Sequence, residues 1–186
     1  VIYYSVLNNK VGASRARIDT LLYSSYNEND LRKSVFFRGN SDGTYRFKGS
    51  YVGLKDPGEW FNGIATDEMF LVRSECYARK GDIANALLDL NTLIVTRWKN
   101  NGTWANFTAG TAGEALDIIL TERRKELLLR GLRWIDIKRL NKEGRNIILK
   151  RVLEPNTFML QPNDLRYALP IPEDVITIAG MQQNPR

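Results

Sequence analysis

From Thr66 onward the chain sets apolar residues at helical spacing, and Gly and Pro punctuate it into segments. Thr66 can cap a first helix whose opening turn carries Asp67 and Glu68, acids that suit the positive helix end. Met69, Val72 and Cys76, with Phe70 and Tyr77, follow as its expected core face. Gly81 ends that helix and Asp82 can cap the next, which carries Ile83, Leu87, Leu90 and Ile94 on one face, widened by Ala86 and Leu93. Residues 98–113 read as a polar loop. A third helix is expected over 114–130, with Leu116, Ile119, Leu120, Leu127 and Leu128 as its stripe, and Gly131 as its stop. A fourth runs from Leu132 to about Leu140 and carries Trp134, Ile135 and Ile137. Pro155, Pro162, Pro170, Pro172 and Pro185 forbid long helices beyond it, so residues 143–186 read as an extended tail over the helices.

Residues 1–65 differ in character, being rich in Gly, Asn, Ser, Tyr and Phe. The runs Ser34–Phe37 and Tyr45–Lys48 fit short strands, 15–23 fits one short helix, and Val1–Leu7 reads as a buried segment. The expected class is mainly α: helical hairpins, irregular loops, short strands and a Pro-rich tail, in one domain as the length allows. In the first hairpin Phe70, Ser74, Tyr77, Gly81 and Ala86 fall at the spacing of the tetratricopeptide repeat, where small residues let two helices approach closely. That repeat's closing Pro is missing, and 113–140 matches it less well.

Composition then removes whole classes of chemistry. There is no histidine, which rules out Ser-His-Asp and Cys-His catalysis and disfavours zinc. One cysteine, Cys76, excludes an internal disulfide and reads as a buried thiol in an apolar pattern. The net charge of +6 is dispersed: Glu122, Glu126 and Asp136 interrupt the densest basic stretches, unlike the concentrated patch of a nucleic-acid protein. No stretch approaches the roughly 18 apolar residues of a membrane span. The chain starts at Val1 with no signal peptide, as a fragment of a longer protein would.

Three ordered motifs carry a resemblance. Glu122-Arg123-Arg124-Lys125-Glu126-Leu127, followed by Gly131-Leu132-Arg133-Trp134-Ile135-Asp136-Ile137-Lys138-Arg139, is similar to the ERRxEL…GxRWxDLxR signature of SusD/RagB proteins. Glu68–Ala78 resembles the family's E-hydrophobic-x-L-I-R-A-E-A-Y-A helix, and Leu169-Pro170-Ile171-Pro172 with Gln183-Asn184-Pro185 resembles its LPIP…QNP tail. Residues 1–65 are similar more loosely, through Asn29-Asp30-Leu31-Arg32 and Phe47-Lys48-Gly49. The resemblance implies the C-terminal part of a surface lipoprotein that captures glycan and passes it to a SusC-like TonB-dependent outer-membrane transporter. It also implies a lipid anchor upstream of this chain, an extracellular position at the outer membrane, no enzyme activity and no cofactor.

The charged motif residues read as glue between helices. Glu122 with Lys125 and Glu126 with Arg130 are helix neighbours, while Arg123, Arg133 and Asp136 can tie the third helix to the fourth. Arg73 and Glu75 read as partly buried pair members, Trp134 as core, and Leu169 and Ile171 as tail residues that dock on helices. Sugars offer apolar CH faces and rings of hydroxyls, so their sites combine aromatic platforms with amides and charged groups. The 98–111 loop supplies Trp98, Asn101, Trp104, Asn106 and Phe107; a second cluster holds Asp56, Glu59, Trp60 and Asn62. The structural alternative is that each Trp anchors its loop. Two other functions compete: a tetratricopeptide-type scaffold gripping a partner peptide, and, far behind, a glycosidase.

Overall fold

The computed structural model of the chain describes residues 1–8, 16–49 and 59–186, which fall into two compact units, Val1–Gly131 and Leu132–Arg186. In the first unit, strand β1 (Val6–Asn8) pairs antiparallel with β4 (Glu59–Phe61), and β2 (Phe37–Gly39) with β3 (Tyr45–Phe47). Between them lie two short helices, α1 (Thr20–Ser24) and α2 (Leu31–Phe36). Asp19 caps α1 by accepting from the amides of Leu21 and Leu22, and Asp30 caps α2 through the amide of Arg32. The helix expected over 15–23 is thus observed, shifted to its Asp cap. Ser34–Phe36, expected as strand, is helix instead; the Asp30 cap outweighs the β preference of Val35 and Phe36, and the strand begins at Phe37.

Three long helices complete this unit: α3 (Thr66–Arg79), α4 (Ile83–Ile94) and α5 (Ala112–Glu126). The α3–α4 hairpin turns at Gly81, whose φ of +83° only glycine adopts without strain, and Asp82 caps α4 as expected. Thr66 does not cap α3; Ala65 holds that position and no side chain closes it. The buried face of α3 also differs from expectation. Leu71, Ser74 and Ala78 face inward, while Met69, Val72 and Cys76 are exposed. The Ser74 hydroxyl donates to the Ala86 carbonyl at 2.7 Å, and both residues are completely buried. Close backbone approach, available only at small residues, chose the face over side-chain hydrophobicity.

Helix α5 packs on α3 and α4. Its start is a capping box between Thr111 and Glu114. It ends at Glu126, four residues short of the expected Arg130, because Leu129 takes φ +59° and Gly131 φ +77° in the turn that follows. Beside the helices, Leu22, Tyr26 and Phe37 form a core, packed by Tyr23, Phe36, Tyr45, Phe47 and Leu128. Val1 to Tyr4, expected to be buried, are more than half exposed, although Tyr3 bridges Ile64. Gly63 lies where they cross: a Cβ there would sit 2.0 Å from the Tyr3 carbonyl.

The second unit opens with α6 (Arg133–Lys142), where Trp134 packs on the buried Tyr167 at 5.0 Å. Residues 143–186 are less extended than the prolines led us to expect. They hold a β-hairpin, β5 (Leu149–Leu153) with β6 (Asn156–Leu160), and a short helix α7 (Glu173–Ala179) ended by Gly180 in the left-handed region. Pro155 and Pro162 fall in turns, Pro172 sits at the cap of α7, and Pro170 and Pro185 lie outside the helices, so none of them interrupts a helical hydrogen bond. Gln183 exchanges two hydrogen bonds with the Ile171 backbone, and the Asn184 amide donates to the Leu169 carbonyl, as the amide-rich ending implied. Leu169 itself is 68% exposed and does not dock. Among the described residues no helix is long and apolar enough to cross a membrane.

Two substitutions test this packing by urea denaturation. Gly63→Ala should cost about 1–3 kcal/mol or more, since backbone must move to admit the methyl group. Thr111→Ala should cost about 1 kcal/mol through the lost cap.

Candidate functional site

The first unit is organised around the Arg32 guanidinium, only 3% exposed. Its Nε and Nη2 grip Asp30 at 2.9 and 2.7 Å, Nη2 also reaches Glu122 at 2.6 Å, and Nη1 reaches Glu126 at 3.0 Å. Lys125 donates to Glu122 at 2.7 Å, and Arg97 Nε donates to the second oxygen of Glu126 at 2.8 Å. Three carboxylates (Asp30, Glu122, Glu126) therefore meet three cations (Arg32, Lys125, Arg97), and the buried cluster is neutral. Burial alone would weaken the Arg32 charge. The Asp30 hydrogen bonds and the charges of Glu122, Glu126 and Asp30 more than offset it and raise the guanidinium pKa. Tyr26 closes the cluster: its hydroxyl donates to the Lys125 carbonyl at 2.8 Å, and Arg32 and Lys125 lie 5.6 and 5.1 Å from its ring centroid. Burial pushes the Tyr26 phenol well above its ordinary pKa.

Glu122–Lys125 is the helix pair read from the sequence. The expected Glu126–Arg130 pair is not formed, because the helix ends between them; Glu126 takes Arg32 and Arg97, and Arg130 reaches Asp67 at 3.1 Å and the Gly63 carbonyl at 3.1 Å. Arg73 pairs with Asp89 and Glu75 with Arg79. In the second unit Asp136 pairs with Arg139 one turn on.

Arg32, Arg97 and Glu126 also form part of the wall of a cavity of about 390 Å³. The rest of its wall is mostly apolar, with Val35, Phe36, Phe47, Trp60, Phe61 and Leu128, while Asp67, Thr96 and Arg130 add to the polar part. Strand β4 places Trp60 there, and Phe36 and Phe47 pack together at 5.6 Å between centroids. The cavity size lies in the range of small-ligand sites.

Of the ligand-site candidates picked from the sequence, Trp60 alone among the described residues lines this cavity. Trp98, Asn101, Trp104, Asn106 and Phe107 come together elsewhere as a self-supporting loop. The Trp98 and Trp104 rings meet edge to face at 5.3 Å, and Trp104 meets Phe107 at 5.8 Å. Trp98 donates to Thr103 and Trp104 to Asn106, while Asn101 holds Thr103 and donates to Asn29. Asn91 of α4 clamps the Phe107 backbone through both its amide atoms. The indole N–H groups and Asn106 are thus engaged inside the loop, and Asn101 ties it to Asn29. Asn62 follows β4, Glu59 belongs to it, and Asp56 lies outside the described residues.

The family model for the SusD family matches residues 66–186, about two thirds of the sequence. The chain belongs to the SusD family. Two solved structures share its fold. One is a SusD-like carbohydrate binding protein from Bacteroides vulgatus ATCC 8482, at 20% identity and TM-score 0.60, covering 87% of this chain and 40% of that one. The other is a SusD superfamily protein from Bacteroides fragilis NCTC 9343, at 15% identity and TM-score 0.63, covering 92% of this chain and 40% of that one. The chain thus spans about 40% of the length of these SusD structures. A search of curated proteins found no match.

Arg97 and Arg32 are among the site residues that the sequence did not single out. Arg97 closes the last turn after α4 and gave no motif; Arg32 lay in the loosely similar Asn29–Arg32 stretch, 90 residues before its partner Glu122. Arg32→Met should strand three carboxylates on two cations and cost about 3–5 kcal/mol. Arg32→Lys should cost less but not recover the wild-type urea midpoint, since an ammonium cannot grip Asp30 bidentately.

Proposed function

We propose that this chain is the C-terminal part of a glycan-capture protein that binds without turnover at the outer-membrane surface and delivers oligosaccharide to a TonB-dependent transporter. One observation carries the reading: in a member of the SusD family, a cavity of about 390 Å³ has aromatic walls, and among the described residues its only acidic wall residues, Asp67 and Glu126, are buried and ion-paired. Aromatic rings with a few fixed polar groups suit a sugar ring, which stacks its CH face and hydrogen-bonds its rim. A glycosidase needs one carboxyl free to protonate the leaving oxygen and a second to attack or to activate water. Glu122 and Glu126, the acids of the signature, are held by Arg32, Lys125 and Arg97, and Asp136 is held by Arg139. Trp60 is the stacking residue in this reading. The loop of Trp98, Asn101, Trp104 and Asn106 is a secondary contact, its rings and amides being committed to one another.

Calorimetric titration against a glycan panel tests it. At least one oligosaccharide should bind, Trp60→Ala should weaken it tenfold or more, and Trp104→Ala should change it by less than threefold. Release of reducing ends from any glycan would overturn the reading, and so would binding of a peptide in the absence of any glycan signal.

A further inference from the structure

Within the glycan reading, on which this inference rests, we propose that the cavity is built for an acidic sugar, a uronate-bearing oligosaccharide, with Arg97 receiving its carboxylate and Trp60 lying under the ring. Three guanidinium groups reach the wall, but they differ in access. The side chains of Arg32 and Arg130 are 3% and 5% exposed, whereas that of Arg97 is 32% exposed. Among the described residues the two wall carboxylates are far less accessible than Arg97, Glu126 at 3% and Asp67 at 7%. Among the described residues the charge a ligand meets is therefore positive, although the groups behind it are balanced.

Arg97 is also held ready. Its Nε and Nη2 both lie 2.8 Å from Glu126, and its Nη1 donates to the Thr96 hydroxyl at 3.0 Å. That uses three of the five N–H donors of a guanidinium and leaves two for a ligand. Glu126 cannot turn away to release it, because its other oxygen is tied to the buried Arg32. A guanidinium oriented in advance loses little side-chain freedom on gripping a planar carboxylate. A neutral sugar would satisfy those donors with hydroxyls, but without the charge. An apolar acid would match the charge and waste the hydrogen-bonding rim.

The test compares trigalacturonate, its methyl ester, neutral trigalactose and octanoate by calorimetry at low and moderate salt. Trigalacturonate should bind at least tenfold tighter than both the ester and trigalactose, with an advantage that shrinks as salt rises. Arg97→Gln should bring the ratio of acid to neutral affinity to about one, and Arg97→Lys should restore part of it. Because Arg97→Gln also removes a partner of Glu126, its fold is checked by circular dichroism. The ester comparison on unaltered protein needs no variant. Equal binding of acid and ester overturns the acidic-sugar assignment and leaves glycan capture standing. Binding of octanoate alone, or of none of the four, overturns the assignment outright; in that case the broader glycan panel decides whether capture survives.

Discussion

The first unit depends on one buried guanidinium. Arg32 brings together Asp30 at the start of α2 with Glu122 and Glu126 at the end of α5, and through Glu126 it reaches Arg97 after α4. Taking such charges out of water is expensive, and their mutual attraction repays the cost only when every lone pair finds a donor. Here each of the three carboxylates has at least two cationic neighbours within 4 Å, so the cluster is self-consistent only as a whole. That is a strong constraint on register. Sliding α5 by one residue would swing Glu122 and Glu126 through about 100° and bring Thr121 and Lys125, or Arg123 and Leu127, to their places before Arg32. An apolar core of the same volume could be as stable, yet it would tolerate such slips more readily.

The helices were legible because periodicity is local, whereas the partners were not, because nothing in a sequence marks which distant charges will meet. Glu122 and Lys125 sit three residues apart and could be paired on paper; Arg32 and Glu126 are 94 residues apart and could not. The same limit explains α3. Met69, Val72 and Cys76 are its more hydrophobic stripe and were read as its core, but the helix turns Leu71, Ser74 and Ala78 inward because Ser74 must reach the Ala86 carbonyl. Volume at a close crossing cannot be weighed without knowing which helix crosses there.

Candidate site residues were harder still. An aromatic beside asparagine is what a sugar site needs and also what a stable loop needs. In the 98–107 stretch the second use is visible: each indole N–H and the amides of Asn101 and Asn106 close on a neighbour within five residues or on the Asn29 turn. Trp60 met the same description, yet β4 places it on a cavity wall, an outcome fixed by pairing with β1 rather than by its own surroundings in sequence.

The ion-pair cluster and the cavity are joined at Glu126, and in the proposed reading that junction would give the buried charges a purpose beyond packing. One Glu126 oxygen accepts from Arg32, whose side chain is only 3% exposed; the other accepts from Arg97, whose side chain is 32% exposed. A core built only for stability has no need of a charged group at its edge, and an exposed arginine without an anchored partner would spread over many rotamers. Fixing Glu126 from behind through Arg32 gives Arg97 one orientation at the cavity wall. The residues that hold α5 in register are therefore the ones that would aim a hydrogen-bonding fork at a ligand, so the structural reading of the signature and the binding reading of the cavity rest on the same three side chains.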